Sequence, residues 1–214
     1  MAGTEGRFIT FEGIEGVGKS TQAALLAQWL RARGKAVVET REPGGAPAAE
    51  AIRRVLKESP AGSIPAESEL LLIFAARAAH ARDRLRPALR SGEWVVCDRF
   101  VDASYAYQGA GRGLEMTRVA ELEQWIVPDL VPDLTLLLDL PVAEALGRMR
   151  DRGVSDRFEQ EADGFFHRVR ECYLERAAAE PGRVRVIDAT GGPQEVAARC
   201  RETVLAALAP GDGA

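Results

Sequence analysis

FEGIEGVGKSTQ, residues 11–22, decides how the rest of the chain is read. Gly13, four intervening residues and then Gly18-Lys19-Ser20 fit the pattern GxxxxGK[ST], placed after a β-patterned run and before a helical one. Glycines let the backbone curl so that successive N–H groups face inward, and the helix that follows adds partial positive charge at its N-terminus. The result is a cradle for phosphate. Lys19 can reach terminal phosphates, and the Ser20 hydroxyl is placed to serve a Mg²⁺ ion bridging phosphate oxygens. Composition supports a special role for the lysine. Lys19, Lys35 and Lys57 are the only lysines against 25 arginines, so a compact, flexible point charge is kept where a planar fork will not substitute.

Working outward, apolar runs recur at 7–12 (RFITFE), 36–40 (AVVET), 94–98 (WVVCD), 134–140 (LTLLLDL) and 184–188 (VRVID). Between them lie segments such as TQAALLAQWLRARG, with apolar residues at i, i+3 and i+4 and a stop at Gly34. Alternating strands and helices predict an α/β fold with a parallel sheet covered on both faces, and ligands at the carboxyl ends of the strands. At 214 residues, 46% of them hydrophobic, one domain over 1–209 is expected, with a disordered tail at 210–214.

Net charge of −4 and a pI near 5.4 offer no global field for nucleic acid. Cys97, Cys172 and Cys200 lack metal-ligand spacing, and with His80 and His167 as the only histidines no zinc cluster is expected. Reduced thiols, and no signal peptide or apolar run long enough to span a bilayer, point to a cytoplasmic protein with neither a nucleic-acid nor a membrane partner.

A phosphate-binding loop serves switches, motors and kinases alike. The chain contains no asparagine, which excludes the Asn-Lys-x-Asp element that reads guanine. Instead the third strand ends in Asp98-Arg99-Phe100, placing a carboxylate suited to a metal or its waters and a guanidinium suited to a second anion near the loop. A structural ion pair is the other reading of those two residues. Residues 148–160, RMRDRGVSDRFEQ, carry Arg148, Arg150, Arg152 and Arg157. They read either as a mobile cationic lid or as a solvated helix end.

FEGIEGVGKSTQ, TREPGG, FAARAAH, CDRFVDASYAYQGAGRG, PDLTLLLDLP and DRFEQE follow one another as in the bacterial thymidylate kinases, which this chain resembles over nearly its whole length. The resemblance implies a three-layer P-loop fold with a five-stranded parallel sheet flanked by helices and an Arg-rich lid over about 148–160. It also implies transfer of the γ-phosphoryl group of Mg-ATP to dTMP, giving dTDP and ADP for dTTP synthesis, by a cytoplasmic homodimer.

Carried over residue by residue, the ATP phosphate loop is Gly13, Ile14, Glu15, Gly16, Val17, Gly18, Lys19, Ser20 and Thr21, with Ser20 and Asp98 toward Mg²⁺. Glu15 also matches the carboxylate that contacts the sugar 3′-hydroxyl of dTMP. Arg99 matches the residue that grips the dTMP phosphate, and Arg41 faces the same pocket. Arg77 and Ser104 match readers of the thymine edge; Tyr107 matches the ring that crowds a ribose 2′-hydroxyl, and Gln108 extends that wall. Pro43 matches a proline held after a cis peptide bond.

Gly16 stands where eukaryotic relatives place an arginine, which implies that the lid supplies that charge. Arg152 and Arg157 are the candidates for catalysis beside Lys19, Asp98 and Arg99, and Arg148 and Arg150 are secondary ones. One departure concerns the aromatic that stacks on thymine. It lies four residues before the arginine in many relatives; here that place holds Ile73, and Phe74 lies three before. Two alternatives share these motifs: a kinase for another nucleoside monophosphate, and an ATP-binding protein that transfers nothing.

Overall fold

The computed structural model describes residues 6–60, 62–152 and 163–208. The expected lid stretch from 153 onward, including Arg157, and the expected tail at 210–214 lie outside the described residues. Five parallel strands form one sheet: β1 (Phe8–Glu12), β2 (Val37–Arg41), β3 (Trp94–Asp98), β4 (Leu134–Asp139) and β5 (Val184–Asp188), in the order β2-β3-β1-β4-β5. Each agrees with an apolar run read from the sequence to within a residue at its ends. All five residues of β1 are buried, whereas the edge strands β2 and β5 mix buried with exposed positions, as expected for a sheet covered on both faces only at its centre. Arg41 joins β2 because the ladder to β3 continues one residue further, setting Arg41 opposite Asp98.

The helices are α1 (Lys19–Arg31), α2 (Pro47–Glu58), α3 (Ala66–His80), α4 (Arg86–Arg90), α5 (Val101–Ser104), α6 (Met116–Ile126), α7 (Val142–Arg152), α8 (Asp163–Ala179) and α9 (Pro193–Leu208). Wider π-type turns at Ala81–Leu85 and Tyr105–Gly111 join α3 to α4 and extend α5. From β1 the chain crosses toward β2, and from β3 it crosses the other way toward β4. Right-handed crossovers then put the connecting helices on opposite faces: α1 and α9 pack together on one, α5 and α8 on the other. A crevice opens at the carboxyl ends of β1 and β3, where the glycine loop and the Asp98-Arg99-Phe100 turn meet. No helix among the described residues is long and apolar enough to cross a membrane.

Candidate active site

The loop between β1 and α1 turns through three glycines with positive φ, Gly13 (132°), Gly16 (83°) and Gly18 (96°). Gly18 caps α1 without a side-chain hydrogen bond, and the first turn carries no acid. Its N–H groups are therefore open to an anion. Ile14 and Val17 are buried and anchor the loop to the core. Lys19 folds back over the loop, donating to the carbonyls of Gly13 (2.9 Å) and Ile14 (2.7 Å). Burial, and next the positive charge of Arg99, lower its ammonium pKa to about 8. A phosphate would return what the lysine lacks, a counter-charge. Ser20 Oγ donates to Asp98 Oδ2 across 2.5 Å, so the two residues read as metal-facing converge from different elements.

Around them lies a polar cleft of about 660 Å³ lined by Glu15, Gly16, Gly18, Lys19, Ser20, Thr21, Arg41, Glu42, Arg53, Asp98 and Arg99. A second, more apolar cavity of about 420 Å³ is lined by Glu15, Glu42, Pro43, Ile73, Arg77, Arg99, Phe100, Ala103, Ser104, Tyr107 and Gln108. The two share Glu15, Glu42 and Arg99. Arg99 thus stands in the partition between the polar cleft and the more apolar cavity. It holds the one positive φ among the described non-glycine residues, 72°, and its Nη2 donates to Glu15 Oε1 (2.5 Å) and the Tyr107 hydroxyl (3.1 Å). Its Nε is buried without a partner. The Tyr107 hydroxyl in turn donates to Glu15 Oε2.

Buried polar groups stand in the otherwise apolar wall of the second cavity. Arg77, only 1% exposed, donates from Nε to Glu42 Oε2 (2.7 Å), from Nη1 to Ser104 Oγ (3.0 Å) and from Nη2 to the Phe100 carbonyl (2.9 Å). Burial alone pushes the Glu42 carboxyl up, but Arg77 and His80 outweigh it and hold it below the usual range. Gln108 donates to Glu69 Oε1 at 2.9 Å. Tyr107 and Gln108 lie on the π-type turn, whose widened backbone aims adjacent residues at one cavity. The Glu42-Pro43 peptide is cis, the isomer the resemblance implied.

Placement departs from expectation at three points. Phe74 does not line the cavity: it is buried in the core beneath the Arg77 guanidinium, 4.5 Å from ring centroid to Cζ, while Ile73 faces the pocket. Adjacent helical positions differ by about 100° in direction, so the aromatic three residues before Arg77 packs under the arginine while the residue four before it faces the cavity. Arg41 is engaged by Glu50, both oxygens at 3.0 Å, and Arg53, not picked out from sequence, joins it at the cleft. Burial, and then the charge of Arg41, lower the Arg53 guanidinium. Arg148 is drawn to Glu144 (2.8 Å) and the Ala189 carbonyl (3.2 Å). Arg152 closes α7, and Arg157 lies outside the described residues. Glu42 and Arg53 were missed because their place depends on how the turn at Pro43 returns α2 to the sheet.

Residues 11–200 match the family model described as thymidylate kinase. The chain belongs to the thymidylate kinase family. It is 59% identical over 188 residues to a thymidylate kinase of Chromohalobacter salexigens, covering 87% of this chain and 89% of that one. It is 55% identical over 203 residues to a thymidylate kinase of Pseudomonas syringae pv. syringae, covering 95% and 96%. Among solved structures, a thymidylate kinase from Ehrlichia chaffeensis superposes with a TM-score of 0.76 at 32% identity, covering 93% of this chain and 98% of that one. The five-stranded parallel sheet flanked by helices is therefore that of the thymidylate kinase fold.

Proposed function

We propose that the polar cleft holds the phosphates of ATP, that the adjoining cavity holds dTMP, and that the phosphoryl group passes between them beside Arg99. As a member of the thymidylate kinase family the chain is an enzyme, a nucleoside monophosphate kinase that phosphorylates dTMP. The observation that carries the assignment of sites is the shared wall: Arg99 and Glu15 line both cavities. An oxygen of the dTMP phosphate attacks the γ-phosphorus of ATP in line; the bond to the β-bridging oxygen breaks, and ADP leaves with that electron pair. The nucleophile is already anionic, so no strong base is needed. Lys19 and the first-turn N–H groups of α1 bind the donor phosphates, Arg99, in the wall common to both cavities, holds the acceptor phosphate, and Arg41 and Arg53 at the cleft help offset the repulsion between anions.

Glu15 receives the sugar 3′-hydroxyl, Tyr107 closes the space beside C2′, and Arg77, Ser104 and Gln108 face the base over Ile73. The Ser20 hydroxyl and Asp98 carboxylate are hard oxygen donors side by side, a set that fits Mg²⁺, which keeps waters and substrate phosphates as its other ligands. Bound there, Mg²⁺ would neutralise phosphate charge. Arg152 and Arg157 supply the remaining cation in this reading. We place the enzyme in the cytoplasm, as one domain over 1–209, and as a homodimer. Val55, Leu71 and Trp125, exposed on α2, α3 and α6, supply apolar surface for that pairing. The test is ADP release with Mg-ATP and, separately, dTMP, dUMP, UMP, CMP, AMP and GMP. Turnover confined to dTMP and weakly to dUMP is the expected result; turnover with a purine monophosphate would reject the base pocket.

A further inference from the structure

Glu12, the last residue of β1, is a carboxyl with no exposed surface in the middle of the sheet. Burying such a group is costly without compensating hydrogen bonds, and no role in substrate binding falls to it, since it lines neither cavity. Its two hydrogen bonds show what it does. Oε1 accepts the Phe100 N–H at 2.6 Å, and Oε2 accepts the Tyr173 hydroxyl at 2.6 Å.

The first of these bonds completes the support of a strained turn. Arg99 is left-handed, a conformation rare for a residue with a Cβ and sustained only where neighbours over-determine it. Its own N–H donates to the Phe11 carbonyl (2.9 Å), and its carbonyl accepts from Cys97 Sγ (3.0 Å). After Arg99 the chain has left the ladder, so the next N–H, that of Phe100, finds its acceptor in the Glu12 side chain. The second bond ties the same carboxyl to α8, whose Tyr173 ring lies edge-on to Tyr107 at 6.3 Å. We propose that Glu12 is a positioning residue, clamping the Arg99 turn so that the guanidinium stays in the partition between the cavities, aimed at the acceptor 5′-phosphate. The inference rests on the reading of Arg99 as the phosphate holder. Burial first, and the charge of Asp102 next, raise the Glu12 carboxyl, which the two hydrogen bonds in part offset.

Calorimetric titration of the full chain with dTMP and with thymidine, which lacks the phosphate, separates positioning from general structural damage. Glu12→Ala is expected to weaken dTMP binding about tenfold or more and thymidine binding less than about twofold. Glu12→Gln, able to accept from Phe100 and donate to Tyr173, is expected to restore dTMP binding to within about threefold of the unaltered protein. Equal losses for both ligands in Glu12→Ala, no loss for either, or a Gln variant as impaired as Ala each overturn the clamp. If Glu12→Ala does not fold, Tyr173→Phe takes its place: a selective loss of dTMP binding of about threefold supports the clamp, and an unchanged ratio of the two affinities rejects it. Arg99→Ala serves as the control. A flat ratio there removes the reading of Arg99 itself, whereas a large change there with a flat Glu12→Ala removes only the clamp.

Discussion

Gly16 and the pair Ile73-Phe74 show how much a single position decides. At Gly16 a Cβ would run into the Ala145 carbonyl of α7, and the backbone is at φ 83°. An arginine at that position is excluded unless α7 moves, which gives a physical ground for seeking the missing charge elsewhere. Gly16→Ala is expected to cost about 1–3 kcal/mol of stability and to weaken ATP binding more than dTMP binding, measured by denaturant unfolding and by titration with each nucleotide. The neighbours Ile73 and Phe74 make a second comparison. Phe74→Ala empties a core position under Arg77 and should lower stability by about 3–5 kcal/mol. Ile73→Ala, buried but at the cavity wall, should raise the KM for dTMP and lower stability by less than Phe74→Ala does. A reversal of that pattern would return Phe74 to the ligand.

Asp102 on α5 is the point where several elements are tied together. It accepts from Arg176 Nε of α8 at 2.6 Å and from Arg183 Nη1, just before β5, at 2.7 Å. Burial pushes its carboxyl up, but the hydrogen bond from Arg183 and the charge of Arg176 prevail and hold it below 3.8. A carboxyl lowered on folding contributes stability in full above its unfolded pKa. That contribution is lost as pH falls below 3.8 through the folded value. Asp102→Asn should therefore cost about 3–5 kcal/mol near neutral pH, and the gap to the unaltered protein should narrow as unfolding is measured at progressively more acid pH. The stretch after α7 carries the other prediction at this scale. Arg157→Ala is expected to lower kcat by about a thousandfold, the size of an arginine-finger effect, with the Kd for dTMP changed only severalfold. Loss of affinity without loss of kcat would reject its catalytic role.

At the scale of the molecule, association is read from sedimentation. The chain should move at twice its 23.1 kDa mass, and Leu71→Asp, at a side chain 58% exposed on α3, should return it to the mass of one chain without loss of stability. Much of the architecture was legible beforehand because its signals are local. Apolar runs of five or six residues mark β1, β3 and β4 wherever they end up, and Gly13, Gly18, Lys19 and Ser20 specify a phosphate loop through backbone freedom and spacing within one turn. The sequence by itself thus determined the parallel sheet, the glycine loop after β1 and the residues Asp98 and Arg99 at the end of the third strand. Only the tertiary structure decided which side chains share a wall. Glu42 meets Arg77 across 35 positions and Glu12 meets Tyr173 across 161, while Ile73 and Phe74 divide between pocket and core by the rotation of one helix. Such contacts join distant residues whose individual types carry no mark of the partner, and burial in a common interior brings them together.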